Sequence, residues 1–172
     1  MYFKDLSNYD YIPEYAGSPP AKNVGWLATN RRFRKSAPTE RFLNRLWAFC
    51  KIQIVLTRGI HSCPFCGDYS FDASFYSHGE ETLLLGSAEM RVFDADGITI
   101  YAAPNLIFHY VEAHLYAPPE RFVDGVLNGP LPDQQYFEKL YKPRLKEVDP
   151  ATNAEFARCL ADAKKEVCQK NK

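Results

Sequence analysis

At 172 residues the chain is long enough for one domain with a real core, and its 46% apolar content is ordinary for a globular protein. Five cysteines are an odd number for a disulfide framework, which points to a reducing compartment, the cytoplasm. The zero net charge argues against non-specific nucleic-acid binding by the whole protein, but the charge is segregated: residues 1–60 hold ten Lys/Arg and four Asp/Glu, residues 61–172 eleven and seventeen.

The opening, Met1 to Tyr15, lacks the basic start and apolar stretch of a secretory signal, and no run approaches the ~18 apolar residues of a membrane span. Residues 1–37 read as an irregular N-terminal segment punctuated by Gly17, Pro19, Pro20 and Gly25. Within it Arg31, Arg32, Arg34 and Lys35 surround Phe33, either as a solvated loop balancing the acidic half or as a contact for phosphate or an acidic protein.

A helix is expected from Pro38–Glu40, with Ser36 or Thr39 as cap. Its apolar stripe, Leu43, Trp47, Cys50 and Ile54, is widened by Phe42, Leu46 and Phe49, so the helix should be mostly enclosed. The run from Ile52 to Thr57 could continue that helix or form a short strand, and the pattern alone does not separate the two. After the cysteines, Tyr69 to Glu81 reads as a strand followed by an exposed loop. Residues 87–93 alternate, with Ala88, Met90 and Val92 on one face and Glu89 and Arg91 on the other. A turn at Asp94–Gly97 returns the chain as a partner strand, making a hairpin over about 87–102. Pro104 and Asn105 open a second helix, stopped by Pro118 and Pro119, and a short helix follows, ended by Gly129. Further helices are expected to the end of the chain, the last capped by Asp149. The expectation is a single α+β domain, 1–172: a zinc-stapled core at 38–128, with additional N- and C-terminal helices, the latter within 129–172.

The stretch from His61 to Gly67, HSCPFCG, carries the chemistry. Two thiolates two residues apart can grip one tetrahedral ion when the backbone between them turns tightly, and Pro64 and Gly67 favour that turn. A thioredoxin-like redox pair is the competitor, but the residues after Cys66 do not look helical. An unligated structural pair is the other alternative. Cys50, Cys159 and Cys168 sit on apolar stripes and read as core residues. His109 and His114 share one helix and complete C-x2-C-x42-H-x4-H, so structural Zn2+ held by Cys63, Cys66, His109 and His114 is the expected cofactor. Five helical steps turn about 140°, so the two imidazoles converge only if the helix loosens near His114. His61 is the reserve ligand, able to replace either helical histidine; His78 lies in a polar loop.

No catalytic residue is assigned. Glu112 lies beside the histidines, but H-x-x-E-x-H is not the spacing of a zinc-protease helix, and the deaminase order is missing. Glu112 reads as a surface charge or as an acceptor for an imidazole N–H.

The segments RGIHSCPFCG, GSAEMRVF and GITIYAAPNLIFHYVEAHLYAPPERFVDGVL resemble an uncharacterised bacterial family of small stand-alone proteins. Its motifs are H-x-C-x-F-C, a strand with E-x-R-V, and Y-x-A-P-x-L-I-x-H-Y-V-x-x-H-x-Y-x-P-P. The resemblance spans most of residues 1–127; it implies a bacterial cytoplasmic protein and transfers no activity.

Three functions are weighed. The first is a protein–protein binding module, specifically an immunity-type protein that neutralises a bacterial toxin by occlusion. Its contact residues would be Trp26, Arg31, Arg32, Phe33, Arg34 and Lys35, with Tyr9, Tyr11 and Tyr15 nearby; the alternative is that the aromatics pack the long N-terminal segment onto the core. The second is a finger-like nucleic-acid binder, which needs cations that the histidine-bearing helix lacks. The third is a zinc-dependent hydrolase with Glu89 or Glu112 as base. No membrane is implied.

Overall fold

The computed structural model describes residues 1–13, 20–57, 59–95 and 99–129. The helices expected beyond Gly129, with Cys159 and Cys168, lie outside the described residues, as do Tyr15 and the tip of the hairpin turn. The described elements belong to one compact unit, Met1–Gln134, and are mixed α and β.

The segment expected to be irregular contributes one short strand, β1 (Lys22–Asn23). Helix α1 (Glu40–Cys50) begins where the Thr39 hydroxyl accepts from Phe42 N–H, and Glu40 places a negative charge in the first turn. Phe42, Leu46, Trp47, Phe49 and Cys50 are buried, as its wide stripe requires, and Leu43 is half-buried. The helix stops at Cys50, so Ile54 leaves the stripe and the chain continues into strand β2 (Val55–Leu56). That settles the alternative left open at residues 52–57 in favour of the strand.

Strands β3 (Phe75–His78) and β4 (Glu81–Leu84) form a two-stranded antiparallel hairpin. The second strand was not expected, because Glu81 and Thr82 mask a short pattern that only Leu83 and Leu84 carry. Strands β5 (Ala88–Phe93) and β6 (Ile100–Pro104) pair antiparallel, Val92 opposite Tyr101, as the alternation predicts. They are the centre of a four-stranded sheet ordered β1-β6-β5-β2, in which β1 is parallel to β6. Helices α2 (Ile107–His114) and α3 (Glu120–Asn128) follow.

Both faces of the central pair are covered. Met90, Val92, Tyr101 and Ala103 join the main core with the helices. On the other face Ala102 packs with Tyr9, Ala21 and Trp26 of the N-terminal segment. Glu89 and Arg91 share that second face and are therefore buried, each 1% exposed. They satisfy one another: Arg91 Nη1 donates to Glu89 Oε2 at 2.8 Å, and Tyr9 O–H donates to Oε1 at 2.9 Å. The sequence signal was present in two opposite charges at positions i and i+2 of one strand face. What it could not show is that residues eighty positions away would roof that face.

Candidate metal centre

The centre is assembled from a turn and a helix that are distant in sequence. Cys63 and Cys66 flank a tight turn through Pro64 and Phe65, and Gly67 leaves it at a φ of +70°, a conformation that suits glycine. Phe65 N–H donates to Cys63 Sγ at 3.4 Å, so the turn supplies backbone donors to sulfur. Gly86 holds this loop in place. Its carbonyl accepts from His61 N–H at 2.8 Å, and its φ is +87°. A Cβ there would run into the His61 carbonyl oxygen.

Buried Asn105 connects this loop to the second half of the site. Its Oδ1 accepts from Gly86 N–H at 2.7 Å, its Nδ2 donates to the Leu84 carbonyl, and its own carbonyl accepts from Phe108 N–H. One side chain thus ties the β4–β5 loop to the start of α2. Sequence reasoning read Asn105 only as a helix opener, since its partners are twenty residues upstream.

Helix α2 ends at His114, and Leu115 takes a left-handed φ of 58°. Leu115 N–H donates back to the Tyr110 carbonyl, and Tyr116 N–H does so too at 3.0 Å, so the last turn is wider than an α-helical one. This terminal turn is the loosening that the H-x4-H spacing demands. It is made by the five-residue reach of Leu115 N–H to the Tyr110 carbonyl, ahead of Pro118 and Pro119.

The four groups converge. Cys63 Sγ lies 3.2 Å from His114 Nε2, and Cys66 Sγ lies 3.2 Å from His109 Nε2 and 3.3 Å from His114 Nε2. The two imidazole nitrogens are 3.1 Å apart. All four ligand atoms fall within 4.8 Å of one another. A tetrahedron with Zn–S of about 2.3 Å and Zn–N of about 2.0 Å has edges of roughly 3.3–3.8 Å, close to the four separations of 3.1–3.3 Å. The donor set can hold a metal ion.

The surroundings are asymmetric. Cys63 and His109 are buried, His114 is partly so, and Cys66 faces solvent. Aromatic rings form the wall: Tyr76 of β3 stacks on His109 at 4.5 Å, and Phe65 lies 5.2 Å from His114. Burial pushes His109 down to about 4, helped by the neighbouring His114, and desolvation also lowers His114. Both imidazoles are therefore neutral at physiological pH, which is the ligating form. Burial raises the Cys63 thiol to about 11, so without a cation this sulfur keeps its proton. A divalent ion reverses that preference by stabilising the thiolate.

The remaining expected residues fall elsewhere. His61 is exposed and stands outside the cluster of four. His78 contacts Asn44 Oδ1 at 2.6 Å on the outer surface. Cys50 is a core residue, donating to the Asn105 carbonyl. Glu112 is exposed on α2. Trp26 is buried at 7% exposure, with its indole N–H on the Ala102 carbonyl, and Tyr9 is buried as well. Arg31, Arg32, Arg34 and Lys35 are exposed, while Phe33 is half-buried against Phe65 and Tyr116. No helix among the described residues is long and apolar enough to cross a membrane.

A family model described as a domain of unknown function (DUF7919) matches residues 1–127, and the chain belongs to that family. The match takes in all four converging residues, and the uncharacterised status of the family agrees with the resemblance drawn from the sequence motifs. No curated protein and no solved structure matches the chain.

Proposed function

We propose, with membership of this family as the premise, that Cys63, Cys66, His109 and His114 hold one structural Zn2+ and that the stapled domain works as a protein-binding module in a reducing cytoplasm. The observation that carries the metal reading is the convergence of two sulfurs and two imidazole nitrogens within 4.8 Å. Mixed thiolate and imidazole donors in a four-fold set favour zinc over the hard, oxygen-seeking cations. Two thiolates and two neutral imidazoles also cancel the charge of Zn2+, which lowers the cost of burying it. Four protein donors complete a tetrahedron, the pattern of structural rather than catalytic sites.

What the ion supplies is a clamp. The knuckle and the end of α2 are separated by more than forty residues, and their side chains meet at one point. Closing so long a loop is entropically costly, and a bound ion offsets that cost.

The finer assignment is an immunity-type protein that covers a toxin's active site. Support comes from the exposed cations at 31–35 and from the two carboxylates weighed as bases, neither of which is poised at the site: Glu89 is engaged by Arg91 and Tyr9, and Glu112 faces solvent. A nucleic-acid role would need cations on the metal-bearing helix, and Ile107–His114 has no Lys or Arg.

Two measurements test this. Elemental analysis of the purified chain should return about one zinc per chain, and a cobalt-substituted sample should show thiolate charge-transfer bands with four-coordinate spectra. Purification of the folded chain without any bound metal, or a five-coordinate spectrum with bound water, overturns the structural site. Affinity purification from the native host should recover a stoichiometric protein complex; its absence counts against the binding module.

A further inference from the structure

We propose that the face bearing Arg31, Arg32, Arg34 and Lys35 docks an acidic, amphipathic segment of a partner protein, its carboxylates against these cations and its apolar side chains against Leu6 and Leu115. This deepens the binding-module reading and rests on it.

The basic stretch is not a loose loop. Arg34 and Ser36 are pinned to the chain just beyond His114: Ala117 N–H donates to the Arg34 carbonyl and Ser36 N–H to the Leu115 carbonyl, both at 2.9 Å. Phe33 anchors it from below, 5.5 Å from Phe65 of the knuckle and 5.7 Å from Tyr116. The backbone is thus ordered by the metal centre while the four charged ends stay exposed. The nearest ion pair is Arg34 with Glu120 at 4.0 Å, both largely in solvent, which leaves the charge available. Arg31 stands over the Tyr2 ring, and a groove of about 270 Å³ runs between the first residues and Arg31–Arg34.

Two leucines frame this face, and both have unusual backbones. Leu6 (φ 65°) sits third in a β-turn closed by Ser7 N–H on the Lys4 carbonyl, and Leu115 (φ 58°) ends α2. Glycine makes both turns without strain. Here each turn instead carries a large apolar side chain, 45% and 43% exposed. Asp5 Oδ2 accepts from Tyr116 O–H at 2.7 Å and so links the two turns beneath the surface. Cations and exposed aliphatic groups on one ordered face match a protein segment better than a phosphate backbone, to which a leucine offers nothing. The sequence beyond residue 60 also disfavours a polyanion: residues 61–129 hold ten Asp/Glu against two Lys/Arg.

The test is fluorescence anisotropy on the full chain with verified metal content. Three labelled probes are compared: a glutamate peptide with leucines at every third or fourth position, oligoglutamate of equal charge, and oligothymidylate. The glutamate–leucine peptide should bind tightest and weaken as salt is raised. The double variant Arg31→Glu/Arg32→Glu should abolish binding. Leu6→Gly and Leu115→Gly should each weaken it about tenfold while leaving the melting temperature unchanged or higher, because the left-handed backbone is relieved. Equal binding of oligoglutamate, tighter binding of oligothymidylate, indifference to charge reversal or no binding at all overturns the proposal. Failure here with an intact host complex condemns this face alone; loss of the host complex as well condemns the binding module.

Discussion

At the scale of single residues, the two cysteines differ in surroundings and share one consequence. Cys63 is buried beneath the Phe65 amide and Cys66 faces water, yet each supplies a quarter of the donor set. Cys63→Ser and Cys66→Ser should both drop bound zinc from about one per chain to near zero on elemental analysis. Retention of full occupancy in either variant would remove that cysteine from the site. Gly86 makes a different demand. Its left-handed φ and the His61 carbonyl at its back leave no room for a methyl group. Gly86→Ala should therefore lower stability by about 2 kcal/mol in denaturant unfolding and weaken metal retention too, since the knuckle loop shifts with His61. Gly86 thus fixes the loop that carries the two cysteines.

At the scale of elements, the central hairpin carries the most unusual feature, a charged pair on a fully covered strand face. Removing one partner of a buried pair leaves the other uncompensated. Glu89→Gln should cost about 3 kcal/mol by chemical denaturation, because the amide has one acceptor oxygen where the carboxylate accepts from both Arg91 and Tyr9. The double change Glu89→Leu/Arg91→Met should recover part of the loss, because no lone charge then remains; a double variant as unstable as the sum of the singles would contradict this. Helix α1 offers a gentler case. Its Thr39 cap meets Phe42 N–H at 3.2 Å, so Thr39→Ala should cost about 1 kcal/mol. Short elements were the hardest to foresee. β1, β2 and β4 hold two, two and four residues, too few for any period to stand out; β1 and β2 exist because the longer β6 and β5 offer edges, and β4 pairs with β3 of equal length.

At the scale of the whole molecule, the ion and the fold should be thermodynamically one system. Removing zinc with a strong chelator should lower the melting temperature by many degrees, reversibly on adding zinc back, since binding energy at a site absent from the unfolded chain is folding energy. The metal-free protein should also respond to acid in a defined direction. Folding holds His109 neutral down to about 4, whereas in the unfolded chain it takes up a proton near 6.5. The unfolded state thus gains protons first, and stability falls as the pH drops from about 6.5 towards 4, by about 2 kcal/mol after allowance for partial solvent access. Above that window these histidines impose no pH dependence. A melting temperature of the metal-free chain that rises on acidification would contradict the neutral, buried imidazole.

Local rules carried a large part of this molecule. The spacing of Cys63 and Cys66, the turn-forming Pro64 and Gly67, the stripe and cap of α1 and the alternation of β5 are all short-range patterns, and each can be read from a window of a dozen residues. Such windows also selected His109 and His114, by residue type and shared helix. What tertiary structure alone decided is how those pieces face one another. The widened last turn of α2 sets His114 on the same side as His109, Asn105 ties α2 to the loop beneath the knuckle, and the N-terminal segment covers Glu89 and Arg91. Each of these depends on contacts between residues far apart in the chain. Their free energy arises only once loops have closed and water has left the space between them, and no local pattern encodes that event.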